Sequence, residues 1–234
     1  MNRNFLKYIA VIAMLSDHIA IAFVGMDKPI GLAMRIFGRL TAPIMCYFLV
    51  EGYMHTRSKK KYALRLLLFA FISQVPFSYL LTGRLYSTHL NMMFTLFLCF
   101  MMLMVIEKVE SRVLKFILAL VIYSVCDYCD WGVVAPLWVM AFSMLRSDKK
   151  KLTAVYALIC VFWVLRSTNM AVAGGEMWYE GLWQSGALGF IPFIYLYNGE
   201  AGKSSKFSKW FFYVFYPLHI LIIAVIFRNI LPFI

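Results

Sequence analysis

FLKYIAVIAMLSDHIAIAFV, residues Phe5–Val24, decides how this chain reads. The stretch is long enough and apolar enough to cross a bilayer as one helix, which takes about 20 residues. It nevertheless carries Lys7, Asp17 and His18. Ionisable groups inside a membrane-length segment cost several kcal/mol to insert, so a functional reading is the default for them. Lys7 and His18 stand eleven positions apart, with Val11 and Met14 between them at helical spacing. Three turns of helix therefore put them on one face, about 16 Å apart along the axis. A cation near one membrane surface and an imidazole deeper on the same stripe suit a long anionic ligand lying along the helix. In the plainer reading Lys7 snorkels to the surface and His18 is an interhelical hydrogen-bonder.

Composition agrees with a membrane home. Of the 234 residues 63% are apolar and 15% charged, and mean hydropathy is +0.77. Such a chain cannot cover itself with a soluble surface. Its net charge of +12 comes from short Lys/Arg clusters between apolar runs. That is the pattern of cytoplasmic loops rather than of a nucleic-acid groove. Ala20-Ile21-Ala22 mimics a signal-peptidase site, but Asp17-His18 interrupts the run before it, so the first segment is expected to stay in the mature protein. Cys46, Cys99 and Cys160 read as small apolar fillers. Cys126 and Cys129 form a CxxC without a second pair, and no metal is expected there.

Nine apolar segments follow one another, at about 5–24, 32–53, 62–82, 89–107, 113–127, 131–146, 152–170, 183–198 and 208–230. Arg3, the Arg57–Lys61 run, Lys108 with Arg112 and Lys115, Arg146 with Lys149–Lys151, and Lys203 with Lys206 and Lys209 then share one side. The opposite loops hold Lys28, Arg84 and Arg166 among Asp27, Asp127, Asp130, Glu176 and Glu180. The positive-inside rule makes the N-terminus cytoplasmic and the C-terminus external. The expected fold is all-α: one polytopic transmembrane domain over residues 1–234, in the cell membrane of a bacterium. The fifth and sixth segments are short enough to be tilted or re-entrant.

Polar groups recur at similar depth in six segments: His18, Arg39 one turn after Arg35, Gln74, Asn91 with Thr95, Asp127, and Tyr216 with His219. A hydrated internal cavity would account for them. Asp17 cannot easily orient its neighbour His18, because adjacent helical residues point about 100° apart. It is expected to pair with Arg39 or Arg35, and His18 to find an orienter in Asn91 or Asp127. On the cytoplasmic side Arg57, Lys59, Lys60, Lys61 and Arg65 would suit phosphates, although such runs are often only topogenic. His55, four residues after Glu51, is a rival histidine at the aqueous edge.

An ordered series of short pieces carries a family resemblance. Leu15-Ser16-Asp17-His18 opens it, followed by Arg35-Ile36-Phe37-Gly38-Arg39-Leu40-Thr41-Ala42-Pro43. Val50-Glu51-Gly52 with His55-Thr56-Arg57-Ser58 comes next, then Arg65-Leu66-Leu67-Leu68-Phe69-Ala70 and Gln74-Val75-Pro76-Phe77. Asn91 with Phe94-Thr95-Leu96, Tyr197-Asn198-Gly199-Glu200 with Gly202, and Phe212-Tyr213 before Phe215-Tyr216-Pro217-Leu218-His219 complete it. Over nearly its whole length the chain resembles the TraX family of membrane acetyltransferases. Cys126–Gly132 fits that pattern less well, with cysteines around the acidic-Tyr and Gly positions. The family also looks related to the acyltransferase 3 group, whose first span carries a basic residue, ten residues, then His. Lys7 and His18 have that spacing.

The resemblance implies transfer of an acetyl group from acetyl-CoA, which in the family's namesake goes to the N-terminal amine of a conjugative pilin. The acceptor here stays open: an amine or hydroxyl on a membrane-associated or extracytoplasmic molecule. The reaction would then be carried by His18 as general base, with Asp17, Asn91, Arg39, Tyr216 and His219 around it. Asn91, Arg39 or Tyr216 would stabilise the oxyanion, and a transient acetyl-His is a variant of the scheme. Lys7, Arg35 and the group Arg57, Lys59, Lys60, Lys61 and Arg65 would bind the donor. The rival from another class is a small proton-coupled transporter using His18, Asp17 and Arg39 as its relay. A structural assembly factor would leave the deep polar groups unexplained. Neither oligomeric state nor a nucleic-acid partner is indicated.

Overall fold

A computed structural model describes residues 1–200 and 206–230, and for 206–209 and 230 the backbone only. Among the described residues there is no β-strand, only an isolated bridge between Leu90 and Cys129. The helices are α1 (Arg3–Ile19), α2 (Pro29–Gly38), α3 (Thr41–His55), α4 (Lys59–Thr82) and α5 (Met92–Lys108). They continue with α6 (Arg112–Cys126), α7 (Ala135–Leu145), α8 (Lys149–Ala173), α9 (Ile191–Leu196) and α10 (Lys206–Val225). A π-turn, Ala20–Val24, prolongs α1, and a 3₁₀ segment, Trp178–Phe190, precedes α9. Among the described residues five helical stretches are long and apolar enough to cross a membrane: Arg3–Val24, Pro29–His55, Lys59–Thr82, Lys149–Ala173 and Trp210–Asn229. The other four expected segments fall on α5, α6, α7 and the 3₁₀ segment with α9, each a shorter helix or pair of helices.

The second expected segment is broken. α2 ends at Gly38 and α3 begins at Thr41, with Arg39 and Leu40 turning between them. Pro43 accounts for the break, since it has no N–H to offer the Arg39 carbonyl and its ring would clash there in a continuous helix. The turn closes with tighter bonds, Leu40 N–H to the Phe37 carbonyl at 3.2 Å and Arg39 N–H to those of Arg35 and Ile36. Pro136 and Pro192 likewise fall in the first turn of a helix, whereas Pro76 and Pro217 lie inside α4 and α10.

The chain divides into two compact units. Unit one comprises Met1–Met45 and Met144–Phe212. Its α1 and α2 run antiparallel: the Ser16 hydroxyl donates to the Met34 carbonyl at 3.3 Å, and the Thr41 hydroxyl to that of Ala10 at 3.3 Å. α8 and the returning 3₁₀–α9 stretch form a second antiparallel pair, tied by Tyr156 Oη to the Ala187 carbonyl at 2.6 Å and Thr153 Oγ1 to Tyr195 Oη at 3.1 Å. Thirteen 3₁₀ residues and six α residues span about 35 Å, comparable with a bilayer's hydrocarbon thickness. The stretch ends against the N-terminal strand of chain. Met1 N donates to the Leu196 carbonyl at 2.7 Å, and Arg3 N–H to that of Glu200 at 2.9 Å.

Unit two comprises Cys46–Ser143 and Tyr213–Ile234. Antiparallel α4 and α5 put one polar group at each end. At one end Glu107 takes hydrogen bonds from Lys59 and from the Tyr53 hydroxyl, and the Lys59 ammonium lies 4.2 Å from the Tyr53 ring centroid. At the other end Asn91 caps α5. Its Nδ2 donates to the Ala70 carbonyl at 2.8 Å and to Gln74 Oε1 at 2.9 Å, and its Oδ1 accepts from Met93 N–H. Cys46, Cys99, Cys126 and Cys129 are buried in this unit, with Cys99 within electrostatic reach of the other three. The CxxC thus has cysteine neighbours that its spacing did not announce.

Candidate active site

Asp17 is the centre of unit one's polar interior. Its side chain lies on the α1 face that meets α2, and the two arginines of that helix, one turn apart, each take one carboxylate oxygen. Arg35 Nη1 donates to Oδ2 at 2.9 Å and Arg39 Nη2 to Oδ1 at 2.5 Å. Asp17 and Arg39 are 9% and 6% exposed, so the pair is desolvated and depends on these bonds. Both cations stand at the C-terminal end of α2, where the helix dipole favours positive charge. One carboxylate facing two guanidiniums leaves the cluster with a surplus of positive charge. The expected pairing of Asp17 with Arg39 or Arg35 is realised with both at once.

His18 follows on the next face of α1, half-buried, and its Nδ1 lies 2.9 Å from the Met14 carbonyl. A carbonyl can only accept, so Nδ1 carries the hydrogen and the lone pair of the neutral ring is at Nε2. The Nδ1 side of the His18 ring is thus held by its own helix. His55 and His219 make the same i−4 bond, to the carbonyls of Glu51 at 2.9 Å and Phe215 at 2.8 Å. The bond alone therefore does not single out one histidine. Surroundings do: His55 is exposed, and His219 stacks on Phe215 with centroids 4.6 Å apart, whereas Asp17, Arg35 and Arg39 lie within electrostatic reach of His18.

The remaining candidates divide by unit. In unit one the Lys7 ammonium is 4.9 Å from the Phe212 ring centroid. In unit two Asn91 has its carboxamide fully engaged as described, and the Tyr216 hydroxyl accepts from Met92 N–H at 3.3 Å. Asp127 is exposed in the turn after α6. Of the basic group, Lys59 is paired with Glu107 and Arg65 lies over the Tyr62 ring, whereas Arg57, Lys60 and Lys61 are exposed. Among the described residues no group of three or more His, Cys, Asp or Glu side chains is placed to hold a metal ion.

Two contacts of the site were absent from the sequence reading. Trp183 lays its ring over both guanidiniums, with centroid distances of 4.0 Å to Arg35 and 4.3 Å to Arg39. Gly38 lies against Asp17, leaving no room for a Cβ. A period of three across Gly181, Gln184, Ala187 and Phe190, all buried, marks the 3₁₀ segment that carries Trp183. That repeat is the signal that could have found it.

Membrane-length apolar helices enclosing a desolvated carboxylate–guanidinium cluster define a polytopic integral membrane protein. The comparisons sharpen this. The family model described as "TraX protein" matches residues 2–227, and this chain belongs to that family. It is 32% identical over 205 residues to a Dichelobacter nodosus protein described as "Probable fimbrial assembly protein FimC, serogroup H1", covering 84% of each chain. No solved structure matches.

Proposed function

We propose that this protein is a cell-membrane acetyltransferase that moves an acetyl group from cytosolic acetyl-CoA to an amine or hydroxyl at the membrane or its outer face. The N-terminal amine of a fimbrial subunit is the first acceptor to try, because the Dichelobacter nodosus relative is described as a fimbrial assembly protein. The observation that carries the reading is His18: a ring with its Nδ1 hydrogen fixed on Met14, beside a positively charged Asp17–Arg35–Arg39 cluster, in a TraX-family chain.

Neutral Nε2 of His18 takes the proton from the acceptor nitrogen or oxygen as that atom attacks the thioester carbonyl. The oxyanion that forms is stabilised by the surplus charge of the arginine pair, with Arg39 as the candidate donor. Collapse breaks the carbon–sulfur bond, and the imidazolium returns its proton to the leaving thiolate. Exposed Arg57, Lys60 and Lys61 supply charge for the donor's phosphates at the cytoplasmic face.

The nine-segment arrangement with a cytoplasmic N-terminus has support from unit one. Met1–Arg3, Lys149–Lys151 and Leu196–Glu200 gather at one end through the bonds described, and Asp27, Lys28, Glu176 and Glu180 belong to the opposite end. The basic end is the cytoplasmic one by the positive-inside rule. The transporter reading is weaker, since both oxygens of the Asp17 carboxylate are already bridged.

Purified protein given acetyl-CoA and a short peptide with a free N-terminal amine, alongside an N-blocked peptide bearing a serine, tests the proposal. Acceptor-dependent release of CoA thiol is expected. Thiol release no faster than in buffer with either peptide, together with no acetyl-CoA binding, would sink it.

A further inference from the structure

We propose that Trp183 is a positioning residue that holds the two guanidiniums of Arg35 and Arg39 in the register the reaction uses, and that the 3₁₀ form of its segment exists to present it. The inference rests on the acetyltransferase reading for its chemical meaning and on geometry for its substance.

A 3₁₀ helix repeats every three residues, so positions i, i+3 and i+6 lie over one another on one face. Two such stripes divide the work of Trp178–Phe190. Gly181, Gln184, Ala187 and Phe190 form the buried stripe toward α8. A Cβ at position 181 would collide with the backbone of Thr168, and the Ala187 carbonyl takes the Tyr156 hydroxyl. The stripe of Trp183, Gly186 and Gly189 faces α2 and the turn after it. Trp183 meets Arg35 and Arg39, a Cβ at 186 would run into the Ile36 carbonyl, and one at 189 would stand 3.0 Å from Leu40 Cδ2. An α-helix turns only about 300° in three residues and would carry both stripes out of register within two turns. Gly186 on the Trp183 stripe thus lets the segment press backbone to backbone on α2, Gly189 makes room for the Leu40 side chain, and the Trp183 ring falls on the guanidiniums.

The consequence is electrostatic. Two cations sharing one carboxylate repel each other and could fan apart. An aromatic face within stacking distance of both attracts each through its quadrupole and restricts both planes. A pre-set pair of cations stabilises a developing oxyanion without rearranging during the reaction. Trp183 would therefore act through the arginines and touch no reacting atom.

Trp183→Leu removes the ring at modest volume change, and Trp183→Phe keeps a smaller ring face. On the proposal, Trp183→Leu lowers kcat on the order of ten- to a hundredfold with KM for acetyl-CoA within about twofold, and Trp183→Phe recovers most of the loss. A Trp183→Leu protein that turns over like wild type overturns the proposal while leaving the reaction intact. So does a loss that Trp183→Phe does not relieve. If the wild type transfers no acetyl group, the parent reading fails, and the clamp is decided by melting temperatures of Trp183→Leu, Arg39→Gln and the double variant. Arg39→Gln leaves Asp17 and Arg35 as a one-to-one pair, so it serves as a partner variant. Stacking predicts that the double variant loses less than the two single losses added, and additive losses refute the clamp. Where Trp183→Leu fails to fold, Trp183→Phe replaces it in both arms, with kcat between wild type and Arg39→Gln expected and kcat equal to wild type counting against the clamp.

Discussion

Gly38 and Asp17 are in direct contact across the α1–α2 interface: a Cβ on Gly38 would stand 2.5 Å from both Cβ and Oδ1 of Asp17. The glycine therefore sets how closely α2 approaches α1, and with it the reach of Arg35 and Arg39 to the carboxylate. Gly38→Ala is expected to cost about 1–3 kcal/mol through overpacking. Thermal melting in detergent reads the loss. A melting point equal to wild type would show that α2 can retreat freely.

Removing the carboxylate should cost more than removing one cation. Asp17→Asn removes the carboxylate that faces both guanidiniums, and breaking a buried ion pair in this way typically costs about 3–5 kcal/mol. Arg35→Gln leaves a one-to-one pair with Arg39. The melting point of Asp17→Asn should fall below that of Arg35→Gln, and the reverse order would place the stability of the cluster elsewhere.

Much of this was legible in the sequence, and the rest has physical causes. The membrane class follows from apolar runs of membrane length, and the Asp17–Arg pairing follows from the cost of an uncompensated buried charge. The break at Arg39-Leu40 was harder, because prolines within apolar runs have different outcomes: Pro43 follows a break between two helices, while Pro76 is absorbed inside α4. Trp183 was harder still, because its stacking on Arg35 joins residues far apart in sequence, and the period of three around it marks only the 3₁₀ segment that carries it. Asn91 shows what depth alone does not tell: a deep polar residue suggested chemistry, and its carboxamide caps α5 and bonds Gln74 and Ala70. Lys59 is similar, a basic residue counted for phosphate but paired with Glu107.

A pH effect is expected at the start of α8, outside the membrane. Asp148 caps that helix, and the hydrogen bond from the Lys151 backbone N–H, foremost, holds its carboxyl below the usual carboxylate range. A carboxylate depressed on folding stabilises fully above its unfolded pKa of about 3.9, and the contribution fades only as pH falls through the lower folded value. Amide exchange at Lys151, corrected for intrinsic rates, should keep its protection from neutral pH down to about that point and lose it below. Asp148→Ala should lack the protection throughout. Protection that vanishes already near neutrality would contradict the cap.

The basic group after α3 should divide in two. Neutralising exposed Arg57, Lys60 and Lys61 together is expected to raise KM for acetyl-CoA with kcat little changed, because surface phosphate contacts supply uniform binding. Lys59→Gln should instead act through stability, since it breaks the contact with Glu107. Reporters fused after Lys61 and near Asp130 must show the wild-type orientation in the triple variant, because the same charges direct insertion. A correctly oriented triple variant with unchanged KM would leave the run purely topogenic.

The proposed mechanism depends most on His18. Its Nδ1 hydrogen is held by Met14, so the ring offers Nε2 as its base, and His18→Ala removes that base without breaking the Asp17 cluster. Loss of a general base typically lowers the rate about 10²–10⁴-fold. Acetyl-CoA affinity should stay within a few-fold of wild type, since a base acts chiefly in the transition state. His55→Ala and His219→Ala should each retain more activity. Their rings are held by the same i−4 bond, but His55 is solvated at a helix end and His219 is stacked on Phe215. Steady-state rates for the three variants, on protein shown to be folded by its melting curve, separate the possibilities. A fully active His18→Ala beside an inactive His55→Ala would move the chemistry to the cytoplasmic edge. The arginine cluster on Asp17 would then be scaffolding alone.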